Sequence, residues 1–201
     1  MSKNLIIIFI RNPELGKVKT RLAKTIGDIS ALKIYNYLLN HTEKTIRDIR
    51  CDKAVYYSIK VRQNDIWDSS IYQKHLQKGE YLGVRMRNAF KKAFTKDYKK
   101  VIIVGSDLYN LSPKHLETAF AKLEDNNVVI GPAQDGGYYL LGMKTLNPQV
   151  FINKKWGTSS VFENTIQDLK NESVFLLEEL NDIDIYDDMK HIETLKQLIT
   201  K

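Results

Sequence analysis

A chain of 201 residues with 43% hydrophobic and 27% charged residues has the size and composition of one globular domain. Its single cysteine excludes an internal disulfide framework, and its longest apolar run is too short to cross a bilayer. We therefore expect no membrane association and, by default, a cytoplasmic location. The net charge of +7 is divided, since residues 1–40 hold seven basic and two acidic residues whereas residues 171–201 hold three and eight. This division, without a continuous basic stripe, favours a small anionic ligand over nucleic acid.

The first apolar run, at residues 5–10, predicts a fully buried strand. Pro13 and Gly16 then predict a tight loop, and a helix is expected to begin after Gly16. The opening turns of that helix carry the cations Lys17, Lys19, Arg21 and Lys24. Cations are unfavourable there, because the helix dipole already places about half a positive charge at its N-terminus. We predict that this cluster binds an anion such as phosphate; the alternative is a solvated basic surface helix.

Helical and strand-like patterns alternate along the rest of the chain. Helices are predicted at residues 31–49, 83–94, from Pro113 with Ser112 as its cap, 158–169 and 187–199, and strands at residues 54–59, 101–104, 127–131, 138–143 and 174–177. The stretch at 61–81 is polar and is predicted to be irregular, with Trp67 as an anchor. Short buried strands alternating with helices predict an α/β fold, a three-layer α/β/α sandwich around a mostly parallel sheet. Ligands of such sheets bind beyond the carboxyl ends of the strands.

Asp107 directly follows the buried strand at 101–104, after the small residues Gly105 and Ser106. A carboxylate in that place can hold Mg²⁺ or Mn²⁺, which prefer oxygen ligands and are commonly bound by one or two carboxylates together with phosphates. The alternative is an aspartate that only caps a turn.

Two further segments carry polar or aromatic residues between predicted elements. Asp135, Gly136 and Gly137 join two strands, where Asp-Gly predicts a hairpin turn; the functional alternative is a glycine pair that lets substrate approach while Asp135 accepts hydrogen bonds from hydroxyls. Trp156 precedes the helix at 158–169, and it is either a core residue or a platform for a sugar ring.

Asp182 and Asp184 alternate with apolar residues at positions 181–185. In an extended segment both side chains point the same way, and two such carboxylates repel each other unless a cation lies between them. The pattern therefore predicts a nearby metal ion or lysine. The alternative is that Asp184 or Asp187 caps the following helix.

Six motifs follow one another along the chain: PELGKVKTRL, LGVRM, GSDLYNLS, GPAQDGGYYLLG, WGTSS and DIDIYDDM. In this order they resemble the DUF2064-type glycosyltransferase-like proteins, also described as radical-SAM/selenodomain-associated or arsenosugar-biosynthesis transferases. The resemblance covers essentially the whole chain, residues 1–201. It implies a single domain with the glycosyltransferase A-type fold of the nucleotide-diphospho-sugar transferases.

The resemblance also implies roles for particular residues. The implied nucleotide-binding residues are Pro13, Gly16, Lys17, Arg21 and Asp107. The implied substrate-binding residues are Asp135, Gly136, Gly137 and Trp156. The implied metal ligands are Asp107, Asp182 and Asp184. Catalysis is expected to depend on Asp107, Asp135 and Lys17.

The expected reaction moves a sugar from a nucleoside-diphosphate donor to a small acceptor with the help of a divalent Mg or Mn cation. The alternatives are nucleotidyl transfer from a nucleoside triphosphate, or a nucleotide-binding module without turnover. Asn110 stands where relatives commonly have an acid, and Gln134 where a glutamate commonly precedes Asp-Gly-Gly. These two departures remove carboxylates near the expected site and leave altered substrate choice or lost catalysis open.

Overall fold

The computed structural model describes residues 3–199. Its strands are β1 (Asn4–Ile10), β2 (Asp52–Tyr57), β3 (Tyr72–Leu76), β4 (Lys100–Val104), β5 (Val128–Pro132), β6 (Tyr138–Met143) and β7 (Val174–Leu176). They form one sheet in the order β3-β2-β1-β4-β6-β5-β7, in which β6 pairs antiparallel with β4 and β5 and every other pairing is parallel. The predicted mostly parallel sheet is confirmed.

Helices cover both faces of this sheet. They are α1 (Thr20–Arg47), α2 (Leu82–Phe94), α3 (Pro113–Asp125), α4 (Val161–Asp168), α5 (Tyr186–Met189) and α6 (Glu193–Lys196), with a 3₁₀ turn at Pro148–Phe151. Within residues 3–199, no helix combines the length and apolarity that crossing a bilayer requires.

The three layers follow from the period of two along the strands. Ile6, Ile8 and Ile10 of β1 face one way and pack in a core with α1 and α3, whereas Leu5 and Ile7 face the other way and pack in a core with α2 and α4. The sheet is thus apolar on both faces, as a buried parallel sheet must be. The predicted three-layer α/β/α sandwich is confirmed.

The start of α1 differs from the prediction. The helix begins at Thr20 rather than just after Gly16, because a turn in which Lys17 N donates to Glu14 O (3.0 Å) comes first. Lys19 is the N-cap and has a left-handed backbone, with φ 49°. The helix then continues to Arg47 across a kink at Gly27 (φ 79°, ψ 158°), so that the two helices predicted in this region form one kinked element.

Two more predictions along the chain are corrected. The stretch at 61–81 contains the edge strand β3, which the polar side chains at its centre concealed, although Trp67 is buried against Tyr72 as an anchor. The final helix predicted at 187–199 is instead the two short helices α5 and α6.

Helix capping also differs at two places. Before α5, Asp188 Oδ2 accepts hydrogen bonds from the backbone N–H groups of Asp184 (2.8 Å) and Ile185 (2.7 Å), so Asp188 supplies the cap rather than Asp184 or Asp187. The sequence spacing of Ser160 and Glu163 is that of a capping box, but Ser160 before α4 has a helical backbone and makes no side-chain capping bond.

Candidate functional site

A cavity of about 710 Å³ opens beyond the carboxyl ends of β1, β2 and β4. Its lining includes Asn12 after β1, Ser58 after β2 and Gly105 after β4. The volume lies in the range of sites for small molecules and cofactors. The cavity is where the sequence predicts a ligand.

One side of the cavity is charged. We call Lys19, Asp107, Asp135 and Asp182 the acidic wall. Lys19 Nζ donates to Asp107 Oδ2 at 2.6 Å, and only 4% of the lysine side chain is exposed. Asp182 lies beside Asp107, because Leu108 and Asp182 form an antiparallel bridge and Ile183 N donates to Asp107 O at 2.9 Å. The buried ammonium group of Lys19 thus pairs with Asp107, and its charge also acts on Asp182.

The crowding of the acidic wall is visible in the pKa of Asp182. Burial raises this pKa to about 6, and the negative charges of Asp135 and Asp107 add to the rise, against the opposing charge of Lys19. A cation placed beside Asp182 would relieve this penalty. The wall therefore favours a positively charged ligand or a cation that accompanies an anionic ligand.

The loop after β1 is held by side-chain hydrogen bonds on both sides. The Asn12 side chain accepts from Ile59 N (2.9 Å) and donates to Lys60 O (2.8 Å), which ties this loop to the one after β2. Tyr35 of α1 donates its hydroxyl to Arg11 O at 2.9 Å and accepts from Arg11 N at 2.8 Å. The loop is thus fixed before any ligand binds, and exposed Lys17 lines the cavity next to it.

A second part of the cavity lining is aromatic. We call Tyr81, Leu82, Tyr138 and Trp156 the aromatic wall. Tyr138 and Trp156 pack edge to face, with ring centroids 6.3 Å apart. Tyr138 Oη and Trp156 Nε1 are buried and have no hydrogen-bond partner among the described residues. Tyr81 is 50% exposed and Leu82 42% exposed, so this wall also offers open apolar surface to a ligand.

Gly83 of the LGVRM motif leaves room for Trp156 of the aromatic wall to pack closely. A Cβ at this position would lie 2.7 Å from Trp156 Cζ2, from Trp156 Nε1 and from Phe151 O. Real Cβ atoms essentially never come so near to a backbone oxygen or a packed ring. The missing side chain therefore allows Trp156 to pack against the start of α2.

The segment QDGGYY forms the predicted hairpin between β5 and β6. Asp135 Oδ1 accepts from Gly137 N at 2.8 Å, which is the local turn geometry expected of Asp-Gly. Gly136 has φ 83°, and a Cβ there would come within 2.3 Å of Ser159 O. Gly136 thus brings the WGTSS segment against the hairpin, while Asp135 and Gly137 line the cavity. The turn and the functional interpretation of this segment are compatible.

The structure brings about half of the predicted site residues into one cavity. Those that line it are Lys17, Asp107, Asp135, Gly137, Trp156 and Asp182. The lining does not include Pro13, Gly16, Arg21, Gly136 and Asp184.

Arg21 and Asp184 are outside the cavity lining because they pair with each other. Arg21 Nη1 lies 2.5 Å from Asp184 Oδ2, with the two side chains 66% and 33% exposed. Asp182 and Asp184 therefore have different charged neighbours: Asp182 lies with Asp107 and Lys19, and Asp184 with Arg21. Their predicted role as ligands of one cation stays a prediction.

Sequence reasoning missed three residues of this site. The sequence predicts Lys19 as part of an anion-binding cluster, whereas the structure pairs it with the carboxylate of Asp107. Tyr81 and Tyr138 are not among the predicted site residues. Nothing local distinguishes Tyr81 or Tyr138 from other aromatic residues.

The donors of the acidic wall fit a divalent cation that arrives with phosphates. Among residues 3–199, no group of three or more His, Cys, Asp or Glu side chains is placed to hold a metal ion by itself. Mg²⁺ at nucleotide sites is usually bound by one or two carboxylates plus substrate phosphates. Asp107 and Asp182 supply that number of carboxylates.

The sequence of this chain matches the model of a known protein family. The family model described as "Uncharacterized protein conserved in bacteria (DUF2064)" matches residues 41–158, more than half of the chain. This chain belongs to the DUF2064 family. Among proteins of curated function, none matches it in sequence.

Solved structures add the fold class. A protein from Desulfovibrio desulfuricans G20, provisionally named a nucleotide-diphospho-sugar transferase, shares 26% identity with a TM-score of 0.86, over 100% of both chains. The inositol-1-phosphate CTP transferase from T. maritima shares 12% identity with a TM-score of 0.57, over 98% of this chain and 95% of that one.

A third structure is that of 4-diphosphocytidyl-2C-methyl-D-erythritol synthase from Anaerococcus prevotii DSM 20548. It shares 10% identity with a TM-score of 0.58, over 96% of each chain. At such identities the CTP transferase and the synthase share only the fold with this DUF2064 protein. The predicted nucleotide-diphospho-sugar transferase fold is confirmed.

Proposed function

We propose that this DUF2064 protein is a transferase that moves a sugar from a nucleoside-diphosphate donor to a small acceptor. The observation that carries the proposal is one cavity with two unlike walls. The acidic wall and Lys17 suit a diphosphate and its cation, whereas the aromatic wall offers rings and apolar surface. A nucleotide sugar combines both chemistries in one molecule.

The acidic wall would bind the diphosphate with a divalent Mg or Mn cation held by Asp107 and Asp182. Such a cation neutralises charge that develops on the departing nucleoside diphosphate. Exposed Lys17 donates to phosphate oxygens from the side of the first loop. Asp107 and Asp182 would hold the diphosphate through this cation on the side of the cavity that also carries Asp135.

The hairpin and the aromatic wall would hold the sugar and the acceptor. One oxygen of Asp135 is engaged by Gly137 N, so the other accepts a hydrogen bond from a substrate hydroxyl. Trp156 supplies a flat apolar face for the sugar ring, and the provisional name of the Desulfovibrio relative agrees with a sugar nucleotide as donor. We assign Asp135 to orienting hydroxyls rather than to a covalent step.

The second candidate is nucleotidyl transfer, in which an acceptor phosphate attacks the α-phosphorus of a nucleoside triphosphate and releases pyrophosphate. The observation in its favour is the shared fold of the T. maritima CTP transferase. In both reactions the phosphates of the nucleotide would bind a cation at the acidic wall. Their products differ, and those products decide between them.

The test is a product assay. The protein is incubated with Mn²⁺ and a panel of nucleotide sugars and, separately, with Mn²⁺ and the nucleoside triphosphates. We expect slow release of nucleoside diphosphate from one sugar donor, because water can enter an open acceptor site. Pyrophosphate release from a triphosphate, with no nucleoside diphosphate from any sugar donor, would establish the second candidate instead.

Two variants make the assay specific. Asp107→Asn removes a carboxylate of the acidic wall, and Asp184→Asn removes one outside the cavity lining. Donor hydrolysis should disappear in Asp107→Asn and persist in Asp184→Asn. Nucleotide binding without either product in the wild-type protein, across a broad panel of acceptors, would argue for a binding module without turnover.

A further inference from the structure

Lys19 does not line the cavity, but it is paired with a carboxylate that does. Its ammonium group lies 2.6 Å from Asp107 Oδ2, and its side chain is 4% exposed, whereas Arg21 two residues later is 66% exposed. The same carboxylate is the one that the proposed function assigns to a divalent cation. A cation of the protein itself therefore already lies against Asp107.

The fold holds Lys19 there despite two unfavourable conditions. Lys19 is the N-cap of α1 and has φ 49°, a left-handed backbone that residues other than glycine seldom adopt. It also places a positive charge at a helix N-terminus, where the dipole disfavours cations. The ion pair with Asp107 and the nearby negative charge of Asp182 oppose both conditions.

Both carboxylate oxygens of Asp107 have a protein group near them. Oδ2 accepts from Lys19, and Oδ1 lies 3.4 Å from Ser106 Oγ. A divalent cation at Asp107 would have to share the carboxylate with the ammonium group or displace it. Because two positive groups within a few ångströms repel each other strongly in a partly buried site, the two compete.

We propose that Lys19 is a resident counter-cation that competes with the divalent cation for Asp107. In the absence of nucleotide the lysine offsets the charge of Asp107 and keeps the affinity of the acidic wall for the metal low. The inference rests on the proposed function, which places the divalent cation at Asp107 and Asp182. Its consequence is that metal and nucleotide bind together rather than metal first.

The experiment measures Mn²⁺ binding to the nucleotide-free protein by calorimetry. Lys19→Met removes the charge and keeps the length, and Lys19→Gln also keeps a hydrogen-bond donor to Asp107 in case the apolar variant folds poorly. We expect both to bind Mn²⁺ at least about tenfold more tightly than the wild type. Both should also melt at a lower temperature without metal and regain stability when Mn²⁺ is added.

Lys74→Met is the matched control. Lys74 Nζ lies 2.8 Å from Asp65 Oδ1, its side chain is 6% exposed, and neither residue lines the cavity. This variant also loses a buried ion pair, so a lower melting temperature is expected, but its Mn²⁺ affinity should equal that of the wild type. Tighter binding confined to the Lys19 variants would separate competition from a general loss of stability.

Unchanged or weaker Mn²⁺ binding in both Lys19 variants would overturn the inference, because a competitor has then not been removed. Asp107→Asn distinguishes this failure from failure of the proposed function. If Asp107→Asn loses Mn²⁺ binding while the Lys19 variants bind as the wild type does, only the role of Lys19 is wrong. If Asp107→Asn binds Mn²⁺ as the wild type does, the cation does not lie at Asp107 and both proposals fail.

Discussion

The two walls of the cavity are built by different forces. The acidic wall is held by charge, with a lysine-aspartate pair at 2.6 Å and a further carboxylate whose pKa burial raises to about 6. The aromatic wall is held by close packing, with Trp156 against the bare backbone of Gly83. The first wall depends on ionisation and on added cations, and the second depends on volume.

The difference predicts how each wall responds to change. Charge substitutions in the acidic wall should alter ligand binding and pH dependence more than they alter the fold, because the wall is partly open to solvent. Volume substitutions in the aromatic wall should alter stability first, since packed interiors tolerate added atoms poorly. If charge substitutions and volume substitutions affected ligand binding and stability to the same extent, this comparison of the two walls would be wrong.

Asp107→Asn should have the largest effect. The amide keeps the shape and still accepts a hydrogen bond from Lys19, but it removes the charge that attracts a cation. We expect donor turnover to fall at least about 100-fold, in line with the several kcal/mol that a metal ion supplies to such a transition state. Steady-state rates beside Asp184→Asn measure the effect. Equal losses in the two variants would remove the distinction between cavity and surface carboxylates.

Gly83→Ala tests the aromatic wall. The added Cβ meets Phe151 O and the Trp156 ring at 2.7 Å, so we expect a loss of about 2 kcal/mol in the free energy of unfolding and a displaced ring. Urea unfolding gives the loss, and Trp fluorescence reports the ring. In a Trp156→Ala background the cost should be smaller, because one of the two clashing groups is gone. If Gly83→Ala costs as much stability with Trp156→Ala as without it, the added Cβ clashes only with the backbone oxygen of Phe151.

Lys17→Ala should weaken nucleoside-diphosphate binding about tenfold without loss of stability, because Lys17 is exposed and lines the cavity. Arg21→Ala is the matched change outside the lining. Its ion pair with Asp184 is exposed, so both affinity and stability should change little, by about 0.5 kcal/mol or less. Calorimetric titration of both variants checks this. If Arg21→Ala weakened nucleoside-diphosphate binding more than Lys17→Ala does, Arg21 would belong to the nucleotide site.

Asp182→Asn should have a small effect on the stability of the metal-free protein, and this effect should depend clearly on pH. Because burial and neighbouring charges raise the folded-state pKa to about 6, the ionised carboxylate is penalised in the folded protein above that pH. The penalty is absent below the ordinary carboxyl pKa and grows as the pH rises towards 6. We therefore expect the variant to be more stable than the wild type at pH 7.5, by about 1 kcal/mol after allowance for solvent screening, and equally stable near pH 3.5.

Urea unfolding in a chelating buffer at both pH values measures this difference. The chelator removes divalent cations that would otherwise neutralise Asp182. A variant that is less stable than the wild type at pH 7.5 would show that the carboxylate is satisfied by its surroundings and that the acidic wall is not crowded.

The strands of this fold were largely predictable, because buried parallel strands are short runs of apolar residues between turn signals. Residues 5–10 and 101–104 correspond closely to β1 and β4, and residues 138–143 correspond to β6. The edge strand β3 was not predictable in the same way. It has polar residues at its centre and one neighbour in the sheet, so its pairing with β2 comes from tertiary context.

The cavity was predictable in part. Asp107 follows a buried strand, and the carboxyl edge of a parallel sheet is where ligands bind, so position alone identifies it. The pairing of Lys19 depends on a left-handed turn that delays the helix, and a helix drawn from Gly16 places Lys17 and Arg21 on one face instead. Asp184 does not share the charged neighbours of Asp182, because its carboxylate pairs with Arg21, which is distant in the sequence.

The central claim is that the cavity binds a nucleoside diphosphate together with a divalent cation at the acidic wall. A crystal structure with a nucleoside diphosphate and Mn²⁺, with anomalous scattering recorded for the metal, tests it most directly. We predict an anomalous peak between Asp107 and Asp182, with the diphosphate beside it and Lys17 in contact with a phosphate oxygen. Nucleotide bound away from the cavity, or bound within it with the metal peak elsewhere, would contradict the account.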